Sequence, residues 1–358
     1  MSGRLKLRRG RVVATEPLTV EVDGERRPAW ADTALLGEMR EGDEVVVNTA
    51  ALDLELGSGG FDVVHVNLTR GLNASGESRE SHEHVIKLNY TSLQHPVAPT
   101  ELPVRLSDPG GTKGAPEPPE PTGWGMPVLV LPLHGHLAPA AWAAAQATPG
   151  LRVGYVQTGG GALPGSLSRD AALLRERDLL CGHITAAPAY GGEHEALSVA
   201  GALDAAVNRL GWDAALVGPG PGIIGSETRL GHGGMAALDS AHAALSLDLP
   251  TLISPRLSEA DPRDRHQGVS HHTLTVLELL LAPVEIPLPA GNPEIATQLT
   301  NAPGDSHKLQ EVPVALDPYA KSGLPARTMG RGIDDDQLFY AAPLAAGAHL
   351  ASSAGGVG

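Results

Sequence analysis

From Pro127 onward the sequence alternates short apolar runs with helical patterns, and this rhythm constrains the fold more than any other feature. Five times, an apolar run of strand length precedes a loop and then a segment whose apolar residues have helical spacing. Strands that are apolar throughout and alternate with helices are typical of a parallel sheet covered on both faces. The pattern predicts an α/β, Rossmann-like domain over residues 127–358, with a last strand at VEIPLP. A C-terminal helix should follow, bent or ended by Pro343.

The first hundred residues have a different pattern. Four alternating runs are separated by glycine, proline and aspartate turns: LKLRRGRVVAT, LTVEVDGE, DEVVVNTA and FDVVHVN. Short alternating strands of this kind are typical of a small β-barrel. HEHVIKLNYTSLQ, residues 82–94, also alternates and predicts a further strand, so we expect a barrel domain over residues 1–105. Residues 106–126 are rich in proline, glycine and glutamate without periodicity, which predicts a linker.

Composition and charge exclude several classes of protein. The chain is 42% hydrophobic and 19% charged, which is a globular composition, and it has no apolar run long enough to cross a bilayer. A net charge of -15 would repel a phosphate backbone, so we expect no nucleic-acid partner and no membrane, but a small anionic molecule. The basic start lacks the apolar core of a signal peptide, and Cys181 is the one cysteine, which favours a cytoplasmic protein. Nothing in the sequence opposes a homo-oligomer.

The loops that follow the predicted strands are unusually rich in histidine and glycine. They are LHGHLAP, TGGGALPGS, AYGGEHE, GPGPGIIGSETRLGHGG and SEADPRDRHQGVSHH. In an open α/β sheet, ligands bind beyond the carboxyl ends of the strands, and parallel topology brings these loops to one edge. Seven of the fifteen histidines fall in the loops. The sequence therefore predicts a crevice lined by imidazole groups at the carboxyl edge of the sheet.

Imidazole and carboxylate groups together are suited to zinc, manganese or iron, or to proton transfer near neutral pH. The candidate metal ligands are His134, Glu195 and His271, and the candidate catalytic residues are His272, Glu193 and His266. Ser270 stands where an N-cap belongs, so it should cap the helix that follows. Residues 193–195 are expected to begin a helix, where carboxylates are also favoured simply by the helix dipole.

Glycine and arginine residues in the same loops predict a site for an anion. Glycine lets backbone N–H groups approach an anionic ligand, and arginine binds carboxylate or phosphate through two hydrogen bonds. The candidate substrate-binding residues are Gly160, Gly220, Gly222, Gly225, Arg229, Arg263 and Arg331. Three of these glycines form a G-x-G-x-x-G pattern, but a dinucleotide site needs the helix to open immediately, and SETRLGHGG intervenes here.

Several distinctive segments occur in the order NTAALDLELGSGGFD, GLNASGES, HVIKLNYTSLQHPV, GPGIIGSETRLGHGG, DPRDRHQGVSHHT and TMGRGIDDDQLFY. In these segments the chain resembles a bacterial domain-of-unknown-function family, family 3866, over nearly its whole length. The resemblance implies no reaction, cofactor or catalytic residue. In that family an aspartate and a hydrophobic residue usually stand at the positions of Glu193 and His194, which favours Glu193 and Glu195 over His194 as site residues.

These features lead to three hypotheses for the function. The first is a cytoplasmic, metal-dependent enzyme, with hydrolysis of a small anionic or phosphorylated metabolite as its reaction. The second is a non-catalytic sensor or scaffold protein that binds such a metabolite. The third is a nucleotide-dependent transferase.

Overall fold

A computed structural model of the chain describes residues 4–55, 59–72, 85–101, 125–302, 304 and 306–355. The chain forms two compact units, Met1–Ser81 and His82–Gly358. The predicted linker, residues 106–126, lies outside the described residues except for its last two positions.

The first unit is a closed five-stranded barrel, as the short alternating runs predict. Its strands are β1 (Leu7–Thr15), β2 (Leu18–Val22), β3 (Glu25–Trp30), β4 (Glu44–Asn48) and β5 (Asp62–Asn67), in the order β1-β2-β3-β5-β4. Two short helices, α1 (Thr33–Leu36) and α2 (Ala50–Asp53), lie between strands. Val20 and Val22 are buried in the barrel while Glu21 between them is exposed, which is the two-residue period of a half-buried strand. The sequence pattern missed β3.

The strand predicted at residues 82–94 does not join the barrel. Of its described part, β6 (Val85–Lys87) pairs with β7 (His95–Val97) in a separate hairpin. The ammonium group of Lys87 is buried and donates hydrogen bonds of 2.7 and 2.8 Å to the carbonyl oxygens of Thr185 and Ala189. These contacts attach the hairpin to the second unit, His82–Gly358. The hairpin therefore does not belong to the barrel domain, which was expected to extend to residue 105.

The second unit contains an eight-stranded sheet in which every pair of neighbours is parallel, so the predicted α/β architecture is confirmed. The strands from here on are β8 (Val128–Val130), β9 (Val153–Thr158), β10 (His183–Ala186), β11 (His194–Ala196), β12 (Ala214–Pro219), β13 (Thr251–Ile253), β14 (Leu257–Ser258), β15 (Gly268–Val269), β16 (Glu285–Pro289), β17 (Lys308–Val312), β18 (Arg327–Thr328) and β19 (Arg331–Gly332). The sheet has the order β11-β10-β9-β12-β8-β13-β16-β17, and two small hairpins, β14-β15 and β18-β19, lie outside it.

Helices cover both faces of this sheet. They are α3 (Leu137–Ala147), α4 (Arg169–Glu176), α5 (Val199–Asn208), α6 (Ala236–Ser246), α7 (His271–Leu279), α8 (Pro293–Thr300), α9 (Leu316–Ala320) and α10 (Gln337–Gly355). In β8, Val128 and Val130 pack in one core with α5, α6 and α7, while Leu129 and Leu131 pack in the other with α3 and α10. Successive side chains of a strand point to opposite faces, so an apolar strand needs a helix layer on each side.

The end of the chain is more regular than its sequence suggests. Residues after 290 carry no clear pattern, yet α8 and β17 lie there, and β17 is the edge strand of the sheet. Pro343 lies inside α10 without ending it. In α10, Gly347 packs on α3, because a Cβ atom at this position would lie 2.1 Å from the carbonyl oxygen of Ala140. Among the described residues, no helix is both long and apolar enough to cross a membrane.

Candidate functional site

A cavity of about 440 Å³ opens at the carboxyl ends of the three central strands of the large sheet. Residues 133–135 enter it after β8, residues 222–226 after β12, and part of residues 256–272 after β13. The β18-β19 hairpin adds Thr328 and Met329. This is where ligands bind in open α/β sheets, because neighbouring connections leave a crevice there.

Four histidine rings meet beside this cavity, and two of them, those of His266 and His272, line it. The rings of His232 and His272 stack in parallel, with centroids 3.6 Å apart and planes inclined by 9°. The ring of His271 lies 4.4 Å from that of His272, and the ring of His266 lies 4.9 Å from it. One ligand nitrogen of each of His232, His271 and His272 lies within 4.8 Å of the other two. The predicted grouping of histidines after β13 is present, and His232 from the loop after β12 joins it.

Local sequence explains how the segment around α7 holds these rings. Ser270 is the N-cap of α7, as predicted, and its Oγ accepts a hydrogen bond of 3.2 Å from the backbone N–H of His272. The same Oγ lies 2.7 Å from Nδ1 of His266. One serine therefore fixes both the start of the helix and the orientation of a neighbouring imidazole.

The three-histidine group is His232, His271 and His272, and two of its ring nitrogens have an unusual environment. Nε2 of His232 lies 3.0 Å from the carbonyl oxygen of Arg229, so it donates its N–H there and leaves a lone pair on Nδ1. Within the part of the chain that the structure describes, Nδ1 of His232 and Nε2 of His271 are buried and have no hydrogen-bond partner. Unsatisfied buried polar atoms cost free energy, so these two nitrogens are candidates to bind a ligand or an ion.

The electrostatic environment keeps these imidazoles neutral. Burial, together with the positive charges of Arg256 and Arg263, lowers the pKa of His266 to about 3. Burial and the neighbouring His232 and Arg256 lower the pKa of His272 to about 2. The pKa values of His232 and His271 are also lowered, chiefly by burial. Neutral imidazoles retain the lone pairs that bind metal ions or accept protons.

Arginines provide the positive charge of the cavity. Arg256, Arg263 and Arg265 line it, and Nη1 of Arg256 lies 3.3 Å from Nδ1 of His272. Burial lowers the pKa of the Arg256 guanidinium to about 10, although the charge of Asp261 opposes this effect. The guanidinium therefore stays charged at neutral pH, where it attracts anions.

One buried carboxylate, Asp261, holds three guanidinium groups. Its Oδ2 lies 3.3 Å from Nη2 of Arg256, 2.8 Å from Nη2 of Arg263 and 3.4 Å from Nη2 of Arg331. Burial raises the pKa of Asp261, but hydrogen bonds from the side chain and backbone of Arg263 outweigh this and hold the pKa well below its usual range. A second buried carboxylate, Asp336, pairs with Arg331 at 3.1 Å. Three arginines share two carboxylates here, so positive charge remains.

His134 lines the cavity, but it does not belong to the three-histidine group. Its Nδ1 lies 3.2 Å from the carbonyl oxygen of Pro219, and its Nε2 lies 3.0 Å from Oγ of Ser168. Both nitrogens therefore have protein partners. The structure does not assemble the predicted ligand set of His134, Glu195 and His271, because His134 is engaged with these groups.

Glu193 and Glu195 lie toward the edge of the sheet rather than in the cavity. The residues around them form β11 instead of the expected helix start, and α5 begins only at Val199. Glu193 pairs with Arg175 at 2.9 Å. Glu195 accepts hydrogen bonds from Lys87 and, at 2.8 Å, from Oγ1 of Thr185. These carboxylates are occupied by structural partners, so neither acts at the histidine cluster.

The predicted substrate-binding glycines divide into two groups. Gly222 and Gly225 line the cavity. Gly160 and Gly220 do not: a Cβ atom on Gly160 would lie 2.4 Å from the carbonyl oxygen of Gly233, and one on Gly220 would lie 2.2 Å from that of Ala162. These two glycines permit close packing between loops. Helix α6 begins only at Ala236, so the glycine pattern is not at a helix N-terminus as a dinucleotide site requires.

The three predicted arginines have different positions. Arg263 lines the cavity, whereas Arg331 lies behind it with Asp261 and Asp336. Arg229 pairs with Glu278 and contributes its carbonyl group to His232, so its side chain is not a cavity residue. Sequence reasoning did not select His232 or Arg256 as site residues. Their positions in the sequence could have indicated both residues, because each lies in a loop that follows a central strand.

Acid should destabilise the chain through His183, which stacks on Tyr155 beside His134. Burial, with the nearby His134, lowers its pKa to about 4, against about 6.5 in an unfolded chain. Between these values the unfolded state binds a proton that the folded state does not, so the free energy of unfolding falls as pH falls. We expect His183→Gln to flatten this dependence by up to about 1.4 kcal/mol per pH unit.

The measurement for this prediction is urea denaturation of both proteins at pH 8, 6 and 5. The difference at pH 8, where the imidazole is neutral in both states, reports the packing lost in the variant. Equal slopes below pH 6.5 in the two proteins would contradict the expected proton uptake.

The protein is of the α/β class, with a closed five-stranded barrel unit followed by a unit built on a parallel eight-stranded sheet. In the second unit, histidines and arginines line one cavity. The chain matches the model of a family described as a protein of unknown function (DUF3866) over residues 28–347. Because the match covers most of the chain, the protein belongs to this family, as its sequence segments indicate. No curated protein and no solved structure matches it.

Proposed function

We propose that the second unit is a metal-dependent enzyme of the hydrolase type. In this proposal, His232, His271 and His272 hold a zinc, manganese or iron ion. A small anionic or phosphorylated metabolite binds beside them at Arg256 and Arg263. The observation that carries the proposal is that Nδ1 of His232 and Nε2 of His271 are buried and, among the described residues, have no hydrogen-bond partner. Both histidines belong to a group of three whose ligand atoms are close enough to hold one ion.

Three imidazole ligands with an adjacent open cavity are the pattern of a catalytic rather than a structural zinc site. Structural zinc is surrounded by four protein ligands, whereas catalytic zinc has three and keeps a position for water or substrate. A metal ion at such a site supplies hydroxide near neutral pH. The cavity beside the cluster gives an anionic ester room to approach that position.

Binding of an ion by all three histidines requires a movement of one ring. The lone pairs of an imidazole lie in the plane of its ring, so those of the stacked, parallel rings of His232 and His272 do not converge on one point while the rings stay stacked. Among the described residues, the hydrogen-bond contact of the His272 ring is the one of 3.3 Å between its Nδ1 and Nη1 of Arg256. This is longer than the 3.0 Å contact of His232 Nε2 with the carbonyl oxygen of Arg229, so His272 would be the ring to turn. An anion that draws Arg256 away would free this ring, so metal and anion should bind better together than separately.

His266 has the position of a base in this mechanism. It is neutral, lies beside the cluster and is oriented by Ser270. The charges of Arg256 and Arg263 are among the causes that lower its pKa, and a bound anion offsets them. The imidazole therefore becomes a better acceptor for the proton of the attacking water when substrate is present.

Metal content tests this proposal directly. Protein purified without a histidine tag should contain about one transition-metal ion per chain by elemental analysis. Metal-stripped protein should gain stability on addition of zinc or manganese, by about 2.7 kcal/mol at a hundredfold excess over the dissociation constant. It should also hydrolyse a simple phosphomonoester only after metal is restored. Absence of metal together with no thermal stabilisation by zinc, manganese or iron would contradict the proposal.

A metabolite sensor is the second candidate, favoured by the arginines alone. Arg256, Arg263 and Arg265 reach one cavity and can hold an anion without any metal. A sensor would be stabilised by phosphate or carboxylate ligands with metal absent, and mass spectrometry would find the ligand unchanged.

A further inference from the structure

The lining of the cavity also includes exposed apolar side chains. Met329 is 51% exposed and Ile224 is 76% exposed, and both line the same cavity as Arg263. Single exposed apolar residues are ordinary on a protein surface. Two of them at the opening of a charged cavity place an apolar surface beside an anion site.

The backbone at Met329 shows that methionine is an unusual choice there. Met329 and Gly330 form the two-residue turn of the β18-β19 hairpin, in which Thr328 pairs with Arg331. Their φ angles are +47° and +83°, which is the pattern of a type I′ turn. Asparagine, aspartate or glycine is strongly preferred at the first of these positions, because other side chains are strained in the left-handed region. Strain of this kind concentrates where it serves a function.

The rest of the hairpin fixes where this methionine lies. Arg331, two residues later, is bound to the buried carboxylates of Asp261 and Asp336. The sulfur of Met329 lies 3.8 Å from Nη2 of Arg263, one of the cavity arginines. The apolar side chain is thus held in contact with the group that would bind an anion. A ligand that reaches Arg263 also reaches Met329.

We propose that the substrate is amphipathic: a phosphate monoester or related anion whose organic part is apolar. Its anionic group would bind Arg256 and Arg263, and its apolar part would lie against Met329 and Ile224. This inference rests on the anion site of the proposed function and adds the chemistry of the group attached to the anion. Each methylene buried at the rim should raise affinity roughly three- to fourfold.

Titration calorimetry of the full chain with methyl, butyl and hexyl phosphate tests the inference. We expect hexyl phosphate to bind at least about tenfold more tightly than methyl phosphate, since several methylenes are partly buried. The variant Met329→Asn should lose most of this ratio, and it should fold, because asparagine suits a positive φ. The control is Leu281→Asn, which removes an 84% exposed apolar side chain from the segment just after α7, outside the cavity lining, and should keep the ratio.

The outcomes separate this inference from the proposed function. If all three phosphates bind with equal affinity, the anion site stands and the apolar subsite is wrong. If Met329→Asn retains the full ratio, the rim does not contact the alkyl chain and the inference is overturned. If no phosphate binds to the wild-type protein, the anion site itself fails and both proposals fall.

Discussion

His271→Leu is expected to remove metal-dependent turnover while leaving the protein folded. The loss of one of three ligands should weaken metal binding by more than the 10- to 100-fold that is typical when only an outer partner of a ligand is lost. Nε2 of His271 is buried and has no hydrogen-bond partner in the described part of the chain, so replacing it by an apolar group leaves no new unsatisfied atom there. The metal-free variant should therefore be as stable as the metal-free wild type, or more stable.

Elemental analysis, urea denaturation and phosphomonoester hydrolysis measured on the same preparations check this prediction. The matched control is His194→Leu, in the edge strand β11 and outside the cluster, which should keep both metal and turnover. A His271→Leu protein that unfolds would assign the histidine a structural role. One that retains wild-type metal content would exclude the cluster as the metal site.

The sequence could predict the α/β architecture because each signal was local. Strands such as β8 and β12 are buried on both faces, so they are continuous apolar runs, and the helices between them have their own period. The grouping of His266, His271 and His272 was also local, since Ser270 caps α7 and brings them together within a few residues. Parallel topology then placed this group at the carboxyl edge.

Strand order depends on contacts between distant parts of the chain, and it explains why Glu195 does not lie with the histidines. Glu195 follows β10 in the chain, so it was expected at the common crevice. In the sheet, β11 and β10 lie at one edge, separated from the central strands β12, β8 and β13 by β9. Glu195 pairs there with Lys87, which is distant in sequence. No period or spacing in the sequence reports such a partner.

The orientation of the imidazole rings could not be predicted from the sequence either. His134 follows a central strand and lines the cavity, yet its nitrogens bond to Ser168 at the start of α4 and to Pro219 at the end of β12. His232 lies in a glycine-rich loop that was expected to bind an anion. What makes it a candidate ligand is that one of its ring nitrogens lies within 4.8 Å of nitrogens of His271 and His272. Residue type and strand ends predicted the place of the site, whereas tertiary packing decided which imidazoles share it.

Asp261→Asn is expected to destabilise the second unit by about 3–5 kcal/mol, which is the typical cost of removing one partner of a buried ion pair. The carboxylate is fully buried and Oδ2 contacts the guanidinium groups of Arg256, Arg263 and Arg331. Without the charge of Asp261, Asp336 is the one carboxylate within the described residues that still pairs with any of these three cations, through Arg331. Urea denaturation at pH 7 measures the loss, and Asp264→Asn, an exposed change in the same segment, should stay within about 0.5 kcal/mol of wild type.

The same variant connects stability with anion binding. Inorganic phosphate places negative charge beside Arg256 and Arg263, so it can replace part of the compensation that Asp261 provides. Phosphate should therefore raise the melting temperature of Asp261→Asn more than that of wild type, because a ligand stabilises in proportion to its affinity for the folded state. Equal gains in both proteins would mean that phosphate binds away from these arginines. A larger gain in the variant would show that one buried carboxylate balances the charges that the cavity offers to its substrate.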